Sequence, residues 1–317
     1  MEVDDLTVPH RRSHAAVYRL AGCSQFYFDP PEPAGALTEH VWEVTAECLG
    51  LLDEVNRWIG PLDTRPRALG DLEQVRDALR RDRAPAWAQF DSVALRAFSQ
   101  PDPPRQQFSL VLPAPGSRQR FASLVMGERP STLRRNAEAV VERVLRHASA
   151  LQPHVGLVGF GLMSEPWMEP HHVESAWPYL ERYPGLQLPY QLEWGADEAG
   201  IPGIDWLTVL GERPLALLGG PTELRQRLEA TAEVLGAPTP QVLDYACGVV
   251  VRACETPQLG DSETEGAPAG YRTVDAALRP LRWDGRSTRP SALLKVREKA
   301  NGITPAEATR LWAARFE

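Results

Sequence analysis

Apolar residues recur along this chain in two rhythms, and proline and glycine divide the rhythms into short segments. Residues 15–28, AAVYRLAGCSQFYF, are rich in aromatic and β-branched residues and predict a strand that Pro30, Pro31 and Pro33 stop. From about Leu37 the step changes. Val41, Val44, Cys48, Leu51, Leu52, Val55 and Ile59 recur at helical spacing, with Thr38 as N-cap and Gly60-Pro61 as the stop. A second helix is expected near 71–82, opened by Asp71 and ended before Pro85. SVALRAFS (92–99), QFSLVLP (107–113) and FASLVMG (121–127) are β-like runs between Pro/Gly-rich turns, the pattern of an antiparallel meander. Ser131 or Thr132 is placed to cap a long helix to about Ala150, with Leu133, Ala137, Val140, Val141, Val144, Leu145 and Ala148 on its apolar face.

A Gly-rich strand follows, HVGLVGFGLM (154–163), and then a short helix near 171–182. Further strands are expected at 204–210, 214–218 and 247–254, and helices near 221–235, 269–279 and 305–315. Regular βαβα alternation is lacking, so the pattern predicts an α+β fold: a mostly antiparallel sheet with helices packed on its faces. Both halves read strand, helix, strands, helix, which allows two pseudo-repeated halves. ETPQLGDSETEGAPAG (255–270) reads as an exposed acidic loop. Residues 1–15 read as an N-terminal extension and 16–317 as a single domain.

Composition adds less than charge placement does. The 317 residues are 43% hydrophobic and 24% charged, ordinary for a soluble globular protein. No apolar run reaches the ~18–20 residues of a membrane-spanning helix, and the acidic start lacks an apolar signal region; the expected compartment is the cytoplasm. Cys23, Cys48, Cys247 and Cys254 include no C-x-x-C pair, which argues against a zinc knuckle, and the last two are expected in the core. The net charge is −8, opposite in sign to that of a general nucleic-acid binder. Residues 163–200 hold seven acids, Glu165, Glu169, Glu174, Glu181, Glu193, Asp197 and Glu198, against one base, Arg182. Most of the surplus therefore lies in one segment. It is either a solvated face or a surface built to meet a basic partner.

Catalytic signatures are weak. GLVGFG (156–161) has the glycines of a dinucleotide loop, but Glu165, Pro166 and Pro170 follow where the phosphate-binding helix should begin. The glycines are better read as points of close packing. SEPWMEPHHVES (164–175) places two histidines among three carboxylates. On a helix His171 and Glu174 would share a face, whereas His171 and His172 would diverge by about 100°. A metal-dependent hydrolase centred on His171 and His172 would need a third ligand from elsewhere. No nucleophile elbow, Walker loop or H-E-x-x-H is present.

Several segments, in order, resemble a bacterial family of type VI secretion immunity proteins (DUF3396-like). They are QFYF (25–28), HVGLVGFGLM (154–163), YLERYPGLQL (179–188), GIDWLTVLG (203–211) with LALLGG (215–220), GVVVRACETPQLGD (248–261), YRTVDAALRPLR (271–282) and LWAARFE (311–317). Cys254 stands where a small residue is expected. The resemblance implies a non-enzymatic protein without a cofactor. It would bind and neutralise a cognate antibacterial toxin, one partner class being a nuclease, by stoichiometric contact. A nuclease presents a basic groove, so its inhibitor should present carboxylates with aromatic anchors. Glu165, Glu169, Glu174, Glu193, Asp197 and Glu198 are the expected electrostatic contacts, with Trp167 and Trp194 as anchors. Trp177 and Tyr179 fit a core role equally well. A scaffold protein whose acidic face keeps it soluble is the third reading.

Overall fold

The computed structural model describes residues 6–9, 15–30, 38–63, 65–87, 90, 92–100, 103–114, 117, 121–164, 173–189, 200–282 and 304–317, apart from the side chains of 83–85, 87, 173, 174, 305, 306 and 309. Twelve strands among them form one sheet. They are β1 (Thr7–Pro9), β2 (Ala16–Phe28), β3 (Arg57–Ile59), β4 (Arg67–Ala68), β5 (Ser92–Phe98), β6 (Gln107–Pro113), β7 (Ala122–Glu128), β8 (Val155–Met163), β9 (Leu186–Gln187), β10 (Leu207–Gly211), β11 (Gln241–Tyr245) and β12 (Gly248–Arg252). The strand order is β11-β12-β10-β8-β2-β7-β6-β5-β3-β4, with β1 on β2 and β9 on β8. Of these strand pairs, the two-residue β8–β9 contact alone is parallel. The α+β expectation holds.

At the centre β2 and β8 run antiparallel from Arg19↔Met163 to Tyr27↔Val155. The two sides of this pair are wired differently. The neighbour of β2 is β7, the last strand of the meander, whereas the neighbour of β8 is β10, the first long strand to follow it. The halves share a sheet but not a repeated strand order. Thr7–Pro9, within the expected N-terminal extension, pair with β2, and Val8 is buried.

Helices pack against the sheet. The first four are α1 (Glu39–Leu51), α2 (Leu72–Trp87), α3 (Pro130–Arg135) and α4 (Ala137–Leu151); α1 packs on α4 and β6, α2 on β5, and α3 on β2. Thr38 caps α1 by accepting the Val41 N–H, and Val41, Trp42, Val44, Cys48 and Leu49 are buried from it. The 37–59 helix expected from spacing ends at Leu51 instead, and Arg57–Ile59 pair with β5 as an edge strand. The expected 131–150 helix is two, broken at Asn136, and Pro130 rather than Ser131 or Thr132 opens the first. A buried ion pair of Arg143 with Glu128 fastens α4 to β7. Burial pushes the Glu128 carboxyl up, and the guanidinium opposes the shift.

The remaining helices are α5 (Val173–Arg182), α6 (Glu212–Leu217), α7 (Pro221–Leu235), α8 (Ala269–Leu278) and α9 (Pro305–Ala313). Residues 214–218, expected as a strand, belong mostly to α6, and the outer partner of β12 is the strand 241–245. Cys247 and Cys254, expected in the core, are half-buried.

Candidate partner-binding surface

The acidic segment begins where β8 ends. Ser164 is buried at the strand's exit. Glu165, Trp167, Glu169, Glu193, Trp194, Asp197 and Glu198 lie outside the described residues, as do His171 and His172. Glu174 falls in the first turn of α5, its side chain outside the description. None of the expected contact side chains is therefore placed by the fold. The two aromatics that fit a core role do face inward: Trp177 is buried, and Tyr179 is half-buried against the main core.

Among the described residues a second acidic element stands at the end of α5. The loop after β12 folds against the C-terminal end of α5. Arg182 donates from Nη2 and Nε to Asp261 Oδ2 at 2.9 and 3.2 Å and pairs with Glu263 at 3.2 Å. The Asp261 carbonyl accepts the N–H groups of Thr264, Glu265 and Gly266, and its Oδ1 accepts the Glu263 N–H. The main chain is sewn to the helix as well. Ser262 N–H donates to the Arg182 carbonyl at 2.8 Å, its hydroxyl to the Glu181 carbonyl, and Gly185 N–H to the Leu259 carbonyl at 2.7 Å. Hydrogen bonding to Arg182 holds the Asp261 carboxyl below its ordinary value.

The result is an ordered ledge on which Glu181, Glu263 and Glu265 are exposed. Glu181 and Arg182 belong by sequence to the segment in which the acids are concentrated. Spacing gave no hint of this meeting, because 79 residues separate Arg182 from Asp261. The usable signal was composition: 255–270 is itself acidic.

Beneath the ledge the GIDWLTVLG motif is structural. The Asp205 side chain is buried above Gly159, where a Cβ would overlap its carboxylate. Burial pushes the Asp205 carboxyl up to about 7, against the Trp206 N–H, Arg315 and the Tyr271 hydroxyl, which favour the charged form. Trp206 donates its indole N–H to the Cys254 carbonyl at 2.8 Å. Arg315 stacks on Trp312, 3.7 Å from the ring centroid, and donates to the carbonyls of Pro184, Trp312 and Ile204 at 2.9, 2.9 and 3.1 Å. This cluster ties α9 to β10 and to the end of α5. The Asp205 carboxylate, the Trp206 indole N–H and the Arg315 guanidinium are spent on internal bonds. Among the described residues no group of three or more His, Cys, Asp or Glu side chains is placed to hold a metal ion. No helix among them is long and apolar enough to cross a membrane.

Known proteins bear on this architecture. The solved structure of the Pseudomonas aeruginosa T6SS protein PA0821 is similar over 95% of this chain and 85% of that one, with a TM-score of 0.69 and 20% sequence identity. At that identity the likeness shows the fold. No curated protein matches the chain. Residues 130–316 match the TsiV family, described as type VI immunity for VRR-NUC. That stretch runs from α3 through α9 and contains β8, the acidic segment, the ledge and the Arg315 cluster. The chain belongs to the TsiV family of type VI immunity proteins.

Proposed function

We propose that this protein binds a VRR-NUC nuclease toxin in the cytoplasm and neutralises it by stoichiometric contact, without catalysis of its own. The observation that carries the reading is the family match over 130–316, joined to the concentration of acids in 163–200. The contact would be made by Glu165, Glu169, Glu174, Glu193, Asp197 and Glu198, with Trp167 and Trp194 as anchors. The ledge of Glu181, Glu263 and Glu265 would extend the same negative field.

The physics is that of electrostatic docking. A nuclease concentrates positive potential where phosphates bind. Carboxylates facing that groove speed encounter and disfavour other partners, while desolvated aromatics slow release. Steering of this kind raises association rates by roughly 10–10³ at low salt. A cytoplasmic inhibitor meets such a toxin where the nucleic acid is.

The test is the triple reversal Glu169→Lys, Glu193→Lys, Glu198→Lys, assayed against a VRR-NUC nuclease toxin that the parent protein neutralises. Association measured by stopped flow should slow at least about tenfold at low salt, its salt dependence should flatten, and protection of toxin-expressing cells should fall. Unchanged rates and protection would remove the acidic segment from the interface. Inhibition of the toxin at far below one equivalent would overturn the stoichiometric reading.

A further inference from the structure

The chain that follows the ledge has little backbone pairing of its own. β9 is two residues long and runs parallel to β8 at Phe160↔Leu186 and Gly161↔Gln187, along the edge that β10 leaves unpaired beyond Val158. Parallel pairing is slightly less stable per residue than antiparallel pairing. Other bonds must therefore hold residues 182–188. Arg182 binds Asp261, Gly185 N–H donates to the Leu259 carbonyl, and the Pro184 carbonyl accepts from Arg315. Those partners all lie within 130–316, the stretch that matches the family.

A further bond comes from outside that stretch. Gln25, in β2, donates from Nε2 to Gln187 Oε1 at 3.2 Å, across 162 residues of sequence. Both side chains are buried, at 0% and 1% exposure. Gln187 stands level with Ala21 across Gly161, and Gln25 lies further along the same face of β2. The two amides meet because the residues between them are small. A Cβ on Gly161 would lie 2.6 Å from the Cys23 sulfur and 3.2 Å from Gln187 Cγ. Among the described residues Gln25 Oε1 and Gln187 Nε2 have no partner, so each side chain relies on the bond to the other. The strand β1, which pairs with β2, also packs on α5. The N-terminal strands thus brace the element that bears the ledge.

We infer that Gln25 is a positioning residue of the partner-binding surface. Through Gln187 it fixes β9, and with β9 the end of α5 that bears the ledge. The sequence places Glu193, Asp197 and Glu198 directly after this anchor. The functional half of the inference rests on the toxin-binding reading; the mechanical half does not. Removing one amide leaves the other buried without a partner, whereas removing both leaves an apolar contact. β9 therefore loosens in either single variant and is held again in the double. A loosened ledge must be ordered anew when the partner docks, and that cost appears mainly as faster release.

The test uses the full chain and four variants: Gln25→Leu, Gln187→Leu, the two combined, and Val141→Ala, which trims a buried side chain of α4. Hydrogen exchange of peptides covering 183–188 should speed at least about tenfold in each single glutamine variant and return toward the parent rate in the double. Release of a bound VRR-NUC nuclease toxin should speed by about the same factor in the single variants and recover in the double. It should stay at the parent rate in Val141→Ala, although that variant lowers the urea midpoint. Release that Gln25→Leu leaves unchanged overturns the positioning role. So does release that Val141→Ala speeds equally, the mark of a general loss of stability, and so does exchange at 183–188 that the glutamine variants do not alter. A parent protein that binds no VRR-NUC toxin overturns the toxin-binding reading instead, and exchange at 183–188 then decides by itself whether Gln25 holds β9.

Discussion

Asp205 and His147 are each buried, and burial moves them in opposite directions. Asp205 is raised from 3.8 to about 7, so between those values the native state holds a proton that the unfolded chain has released. Its contribution therefore falls as pH rises from about 4 to about 7, by at most about 1.4 kcal/mol per pH unit. His147 is lowered from 6.5 to about 4 by burial, against the attraction of Glu47 3.2 Å away. Its contribution is intact above 6.5 and is lost as pH falls toward 4. The two slopes oppose each other over the lower range, and above 6.5 only that of Asp205 remains. Urea midpoints of Asp205→Asn should show a flatter decline between pH 6 and 8 than the parent. His147→Gln should lose less stability than the parent between pH 6.5 and 4.5. Gly159→Ala adds a methyl group where the Asp205 carboxylate lies and should destabilise by about 1–3 kcal/mol or more, read as a lowered denaturant midpoint.

The elements differ in what they owe to their own residues. The α7 helix stands at 221–235 as its pattern predicts, because Pro221 starts it and Gly236, at φ 59°, ends it locally. LALLGG reads as a strand because a short apolar run has no period of its own, and it is helical because Glu212–Leu217 cap the end of β10 rather than pair. QVLDY offered little apolar signal, and its strand exists because β12 supplies the ladder. The acidic surface shows the same division. Its charge was legible in 163–200 and its ordered ledge was not, since Arg182 finds Asp261 only in the folded chain. That pair is also testable. Arg182→Ala should leave global stability nearly unchanged, because the side chain is 42% exposed and its ion pairs are screened by solvent. It should nevertheless accelerate hydrogen exchange at Thr264, Glu265 and Gly266. Arg315→Ala is the contrasting case. Losing a guanidinium enclosed by three carbonyls and two aromatic rings should cost about 3–5 kcal/mol and expose α9 to proteolysis before the sheet unfolds.

At the scale of the molecule, the proposed acidic contact sets what salt should do. Raising ionic strength should weaken that proposed contact, while urea midpoints move far less, because the buried Arg143–Glu128 pair is poorly screened. The sheet is also closed late. Its central seam joins residues 19–27 to 155–163, and the family match starts at 130, so it includes β8 but not β2. Expressed alone, 130–316 would present a nine-residue apolar edge and should aggregate. In the whole chain the same seam is a clock. More than a hundred residues must be made after β2 before its partner exists, and non-local pairing of this kind is slow. Acting as proposed, a newly made copy would give no shelter until the seam has zipped, and a cell facing a toxin would be guarded by the stock of protein it folded beforehand.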